Sequence, residues 1–194
     1  MNNRGITLIE LIIVVSIIAI LVLALGFSFQ GWMGKYKVES EIKELHVDLM
    51  NARARAMQRN RIHFFRVPNT TSYTIYEDDS DGVTKVPDGD STLQEGTGIT
   101  ADTQLLSFPK TLEYAVAIGN VAGVPPITFS LNSRGIISPE TTICIFTDYD
   151  GDASNLSDYD PDLDCIVISK TRINAGKLNS QAVGDCDSDH CITK

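Results

Sequence analysis

The chain has 194 residues, a formal net charge of −9 and 43% hydrophobic residues. That is enough for one compact domain beyond any anchor, and the acidic balance argues against a role built on overall attraction to nucleic acid. No nucleophile elbow, phosphate-binding glycine loop or paired-histidine motif occurs, and His46, His63 and His190 are scattered, so no enzyme is expected.

Residues 6–29 have the length of a membrane-spanning helix, for which about 20 apolar residues are needed. Residues 11–29 are uncharged, Trp32 and Tyr36 follow at the position of an interfacial anchor, and Glu10 is the one charge inside. A charged group in hydrocarbon costs at least about 2.5 kcal/mol, which makes Glu10 a functional candidate. A secretory signal would have a shorter apolar core without an acid, and a plain signal anchor leaves Glu10 unexplained. Arg4 precedes the segment and Lys35 and Lys37 follow it, so charge alone does not orient it.

Gly5 followed by Ile6-Thr7-Leu8-Ile9-Glu10 and an apolar helix resembles the class III signal of type IV pilins and of the pseudopilins of type II secretion. The resemblance implies cleavage between Gly5 and Ile6 by a prepilin peptidase, N-methylation of the new terminus, and pairing of Glu10 with the terminal amine of a neighbouring subunit. It also implies residence in a bacterial inner membrane, with the helix in lipid and the head in the periplasm. Transfer into a filament with other pilin or pseudopilin subunits would follow, on an inner-membrane assembly platform. Two features depart from the pattern: Ile6 stands where Phe is usual, and the helix-bending Pro of major pilins is absent from residues 6–29, as is commoner in minor subunits.

Residues 35–59 read as an amphipathic helix. Val38, Ile42, Leu45, Leu49, Ala52 and Ala56 recur at spacings of three and four, opposite Glu39, Glu41, Glu44, Arg53 and Arg55. No Pro interrupts residues 6–59, so anchor and amphipathic helix form one rod, with Gly26, Gly31 and Gly34 as points of flexure. Strands are expected at 62–67, 72–76, 105–108, 127–131, 142–146 and 165–169, and a loop at 77–103. One long helix followed by alternating strands predicts an α+β domain with an antiparallel sheet. The resemblance makes this the pilin fold: leader 1–5, transmembrane helix 6–29, amphipathic continuation 30–60, and β-rich head 61–194. The strand running into Asn132-Ser-Arg-Gly135, and the closing strand before Gly176-Lys177, are similar to the C-terminal half of the FimT/GspH group of minor subunits.

Cys144, Cys165, Cys186 and Cys191 all lie in the expected exported part, which predicts disulfides. Three connectivities are open. The most economical joins Cys144 to Cys165 across a hairpin and Cys186 to Cys191 within the tail. Between the first two cysteines stand Asp148, Asp150, Asp152, Asn155 and Asp158, hard oxygen donors around Gly151 that suit calcium. The spacing departs from an EF-hand, and a solvated acidic loop is the alternative. Asp78, Asp79 and Asp81 form a second acidic group.

The expected function is that of a minor pilin or pseudopilin. One rival is a DNA-binding minor pilin using Arg55, Arg59 and Arg61, which the acidic charge and the tail carboxylates Asp185, Asp187 and Asp189 disfavour. The other is a signal-anchored calcium-binding protein that never assembles.

Overall fold

A computed structural model describes residues 7–79, 92–96, 101–105, 108–119, 125–146, 160–179 and 186–193, leaving aside the side chains of 23–31. A single helix, α1, runs without interruption from Leu8–Arg59. It stops at Asn60, whose left-handed backbone (φ 54°, ψ 39°) places its N–H on the Ala56 carbonyl. The residues Val38, Ile42, Leu45, Leu49, Ala52 and Ala56 are all fully buried, so the expected stripe is the core-facing one.

The strands are β1 (His63–Asn69), β2 (Ser72–Glu77), β3 (Thr103–Gln104), β4 (Lys110–Thr111), β5 (Val116–Gly119), β6 (Ile127–Leu131), β7 (Ile137–Ser138), β8 (Thr141–Ile145), β9 (Cys165–Ile168), β10 (Ile173–Leu178) and β11 (Cys191–Thr193). Among the described residues they form two sheets, and every pairing is antiparallel. The first has the order β3-β2-β1-β6-β7, with β4 also on β2; the second has the order β11-β10-β9-β8-β5. Helix α1 lies across both, touching β1 and β6 of one and β9 and β10 of the other. Phe65, Tyr73 and Phe129 from the first sheet and Ile143, Ile166 and Ile168 from the second share one core with the helix stripe. This is the α+β architecture expected from the pattern.

Two expected elements differ. Leu105 and Phe108, the described ends of the expected strand, lie outside any strand: Phe108 N–H turns back onto the Leu105 carbonyl, and the Phe108 ring packs at 5.8 Å on Tyr73. Gly176-Lys177 does not follow the last strand but lies inside β10. Gly176 is required there because the tail crosses it: a Cβ would sit 2.5 Å from the Ile192 carbonyl oxygen. By contrast, the Asn132–Gly135 turn forms as read. Gly135 has φ 74°, and the Asn132 side chain accepts the N–H groups of Arg134 and Ile136 at 3.0 and 2.9 Å.

The polar flanks of the helix are not simply solvated. On one side Glu41 accepts the backbone N–H groups of Glu113 and Tyr114, and Lys110 reaches both Glu44 (2.7 Å) and Asp48 (2.6 Å). The Tyr73 hydroxyl donates to the same Asp48 at 2.8 Å. On the other side Glu39 accepts the N–H of Asp162 at 3.0 Å, Lys35 holds the Asp162 carboxylate at 3.1 Å, and His46 Nε2 lies 3.1 Å from the Ile173 carbonyl. These pins fix how the helix lies on each sheet, which a greasy stripe alone would leave free to slide.

Candidate functional site

Among the described residues nothing packs against the side chains of α1 from Leu8 to Val22. Its large apolar side chains at positions 8–22 are 53–77% exposed on every side of the helix. Such a surface marks a lipid or protein contact. Ser16 hides its hydroxyl by donating to the Ile12 carbonyl at 2.8 Å. Among the described residues no helix is long and apolar enough to cross a membrane; the side chains described in this segment stop at Val22.

Glu10 sits in the first turn. Thr7 is the N-cap, extended at φ −80° and ψ 152°, and its side chain accepts the Glu10 N–H at 3.3 Å. The Glu10 carboxylate turns back to the Thr7 N–H at 3.4 Å, completing a capping box. The box aims the negative charge at the positive end of the helix. Gly5 and Ile6 lie outside the described residues.

The other sequence candidates divide. Asp148, Asp150, Asp152, Asn155 and Asp158 lie outside the described residues. Their described neighbours are held by the protein: Asp160 takes the Lys177 ammonium at 2.5 Å, and buried Asp164 accepts the Leu178 N–H at 2.6 Å. Asp79 of the second acidic group accepts both the N–H and the hydroxyl of Thr103.

The arginines do not form the patch considered for nucleic acid. Arg59 and Arg61 converge on Glu77, at 2.7 and 3.1 Å, and that carboxylate is only 5% exposed. A carboxylate so buried needs partners, and the helix end supplies them. Arg55 remains exposed beside this cluster. His63 lies fully buried with Nε2 4.0 Å from Glu77; burial pushes its pKa below the ordinary 6.5 despite the nearby carboxylate. An asymmetry is expected here. Removing both arginines strands a buried charge and costs about 3–5 kcal/mol, whereas Glu77→Gln frees two guanidiniums that water can reach and costs less. Denaturant melts of Arg59→Gln/Arg61→Gln against Glu77→Gln check this, and equal losses would contradict it.

All four cysteines are bonded, but not as the economical pairing had it. Cys144 bonds Cys186, with Cα atoms 5.8 Å apart, and Cys165 bonds Cys191, at 6.0 Å. Cys144 and Cys165 face each other in register on neighbouring strands β8 and β9. Both side chains join a small apolar cluster with Leu178, Ala117 and Phe146, and the tail closes over it. Each strand cysteine therefore meets a tail cysteine rather than its neighbour. Gly119 makes room for this cover: a Cβ there would collide with the Cys186 carbonyl. Sequence spacing favours near neighbours and carries no sign of the tail folding back.

Residues 1–26 match the family model described as the prokaryotic N-terminal methylation motif. Comparison with curated proteins finds no match. Among solved structures the chain is similar to the minor pseudopilin EpsH from the Type 2 Secretion System of Vibrio cholerae, at 13% identity and a TM-score of 0.44, over 73% of this chain and 97% of that one. The chain thus carries the prokaryotic N-terminal methylation motif at the start of one long helix that packs against antiparallel sheets.

Proposed function

We propose that this chain is a minor subunit of a type IV pilus or of a type II secretion pseudopilus, with a structural rather than a catalytic role. The observation that carries this reading is the coincidence of the methylation motif with a helix segment, residues 8–22, that is apolar and exposed on every side and bears Glu10. Residues 6–29 hold the subunit in the inner membrane, residues 30–60 continue the rod, and 61–194 form the head outside. A prepilin peptidase cuts between Gly5 and Ile6, and the new amine is methylated. In the filament that amine and the Glu10 carboxylate of a neighbour neutralise each other, since either charge alone is costly among packed apolar helices.

Intact-mass measurement of the membrane-extracted protein tests the reading. Loss of residues 1–5 with one added methyl group is expected. Retention of those residues would leave a signal-anchored protein that does not assemble. Calcium at residues 148–158 is a further part of the proposal. Chelation is then expected to lower the melting temperature of the head and calcium to restore it, and a melt indifferent to both removes the metal from the account.

A further inference from the structure

We infer that the membrane-distal end of the head is a docking surface for an acidic protein surface on a neighbouring subunit. The inference rests on the assembly reading above. Among the described residues eight lysines and arginines are held in ion pairs, and five are exceptions. Arg53, Arg134, Lys170 and Arg172 are four of the exceptions, and the fold brings them to one place; the fifth, Arg55, lies near His63.

Three elements meet there. The turn before β7 packs on the helix: a Cβ at Gly135 would lie 2.8 Å from Met57 Sδ and 3.0 Å from Arg53 Nε. The β9–β10 turn joins it, with the Ile137 N–H on the Lys170 carbonyl at 2.9 Å and the Ser169 N–H on the Arg172 carbonyl at 2.8 Å. His46 ties the following residue, Ile173, to the same flank of α1. Arg134, Lys170 and Arg172 are exposed. The Glu140 carboxylate is the nearby acid, and it takes the Lys170 backbone N–H at 3.0 Å.

The patch is also apolar. Met57 lies beside Arg53 at the Gly135 turn, Met50 precedes Arg53 by one helical turn and Ile136 follows Gly135, and the three are 37–47% exposed. Arg and Met around an apolar centre are the composition of a protein interface. A phosphate backbone is better matched by an extended basic stripe, and ssDNA by exposed aromatics. In a chain of net charge −9, four clustered cations that make no ion pair among the described residues, with Glu140 bonded to a backbone N–H, select an acidic partner by complementarity. Lipid is not that partner, since Arg53 lies about 45 Å along the helix from Val22 at 1.5 Å per residue.

Photo-crosslinking tests this in the full chain expressed in its membrane, with benzoylphenylalanine at position 170 and mapping of the crosslinked peptides. The expected product joins position 170 to an Asp- or Glu-bearing surface of another subunit's head. Arg134→Glu/Arg172→Glu should cut its yield at least about tenfold, because like charges across an interface cost several kcal/mol. The same variant should melt at the wild-type temperature, since both side chains are exposed and make no ion pair. A crosslink indifferent to the reversal, or none to any acidic surface, overturns the inference. So does retardation of a 30-base-pair DNA duplex by the wild type that the variant loses, which would make the patch a nucleic-acid site. Crosslinking is read alongside incorporation into sheared filaments. Wild type that assembles without the crosslink defeats the patch alone. Wild type that fails to assemble defeats the subunit reading, and the crosslink in the membrane fraction still decides the patch.

Discussion

Replacing Glu10 with alanine is expected to abolish incorporation into a filament while leaving the head as stable as before. The two effects separate because Glu10 bonds the Thr7 cap at the start of the helix, whereas the buried core begins at Val38. Losing the capping box costs the helix about 0.5–2 kcal/mol, and only in its first turn. Assembly loses more. An amine left without its carboxylate in a bundle of apolar helices costs about 3–5 kcal/mol, a factor of roughly a hundred to several thousand in incorporation. Glu10→Gln should fail nearly as badly, since it keeps the shape and removes the charge, while Glu10→Asp should retain part of the function. Shearing the cells and blotting filaments against the membrane fraction measures all three. Wild-type incorporation of Glu10→Ala would remove charge pairing from the mechanism.

The second large effect concerns the tail. Removing either disulfide, as Cys144→Ser/Cys186→Ser or Cys165→Ser/Cys191→Ser, is expected to lower the stability of the head by about 3–4 kcal/mol, because each bond closes a long loop in the unfolded chain. The separations are 42 and 26 residues. The losses should not add, since both bonds fasten the same tail over the same cluster of Leu178, Ala117 and Phe146. Single substitutions test the connectivity directly. Cys144→Ser should free the Cys186 thiol and leave Cys165 bonded to Cys191. A free thiol at Cys165 instead would restore the economical pairing. Thiol labelling followed by peptide mapping distinguishes them, and a denaturant melt gives the loss in stability.

What the sequence determined by itself is local. The six-residue stripe from Val38 to Ala56 was legible because helical period and burial coincide over neighbouring turns. The same holds for β1, β2, β6, β8 and β9, where short apolar runs stand between turn residues, and for the Asn132–Gly135 turn. The N-terminal motif was legible because a lone acid in an apolar helix contradicts the local rule, and such contradictions gather at functional sites. The tertiary structure decided the partners. Arg59 and Arg61 stood in the sequence as candidate nucleic-acid contacts until β2 brought buried Glu77 beneath them. Cys144 and Cys165 read as a hairpin staple until the tail folded over both. Arg53, Arg134, Lys170 and Arg172 come from three separate stretches and form one patch only because two turns close against one flank of the helix. Periodicity reports which face of an element is buried. Which distant side chain meets that face depends on how the sheets pack, and no spacing within the chain encodes it.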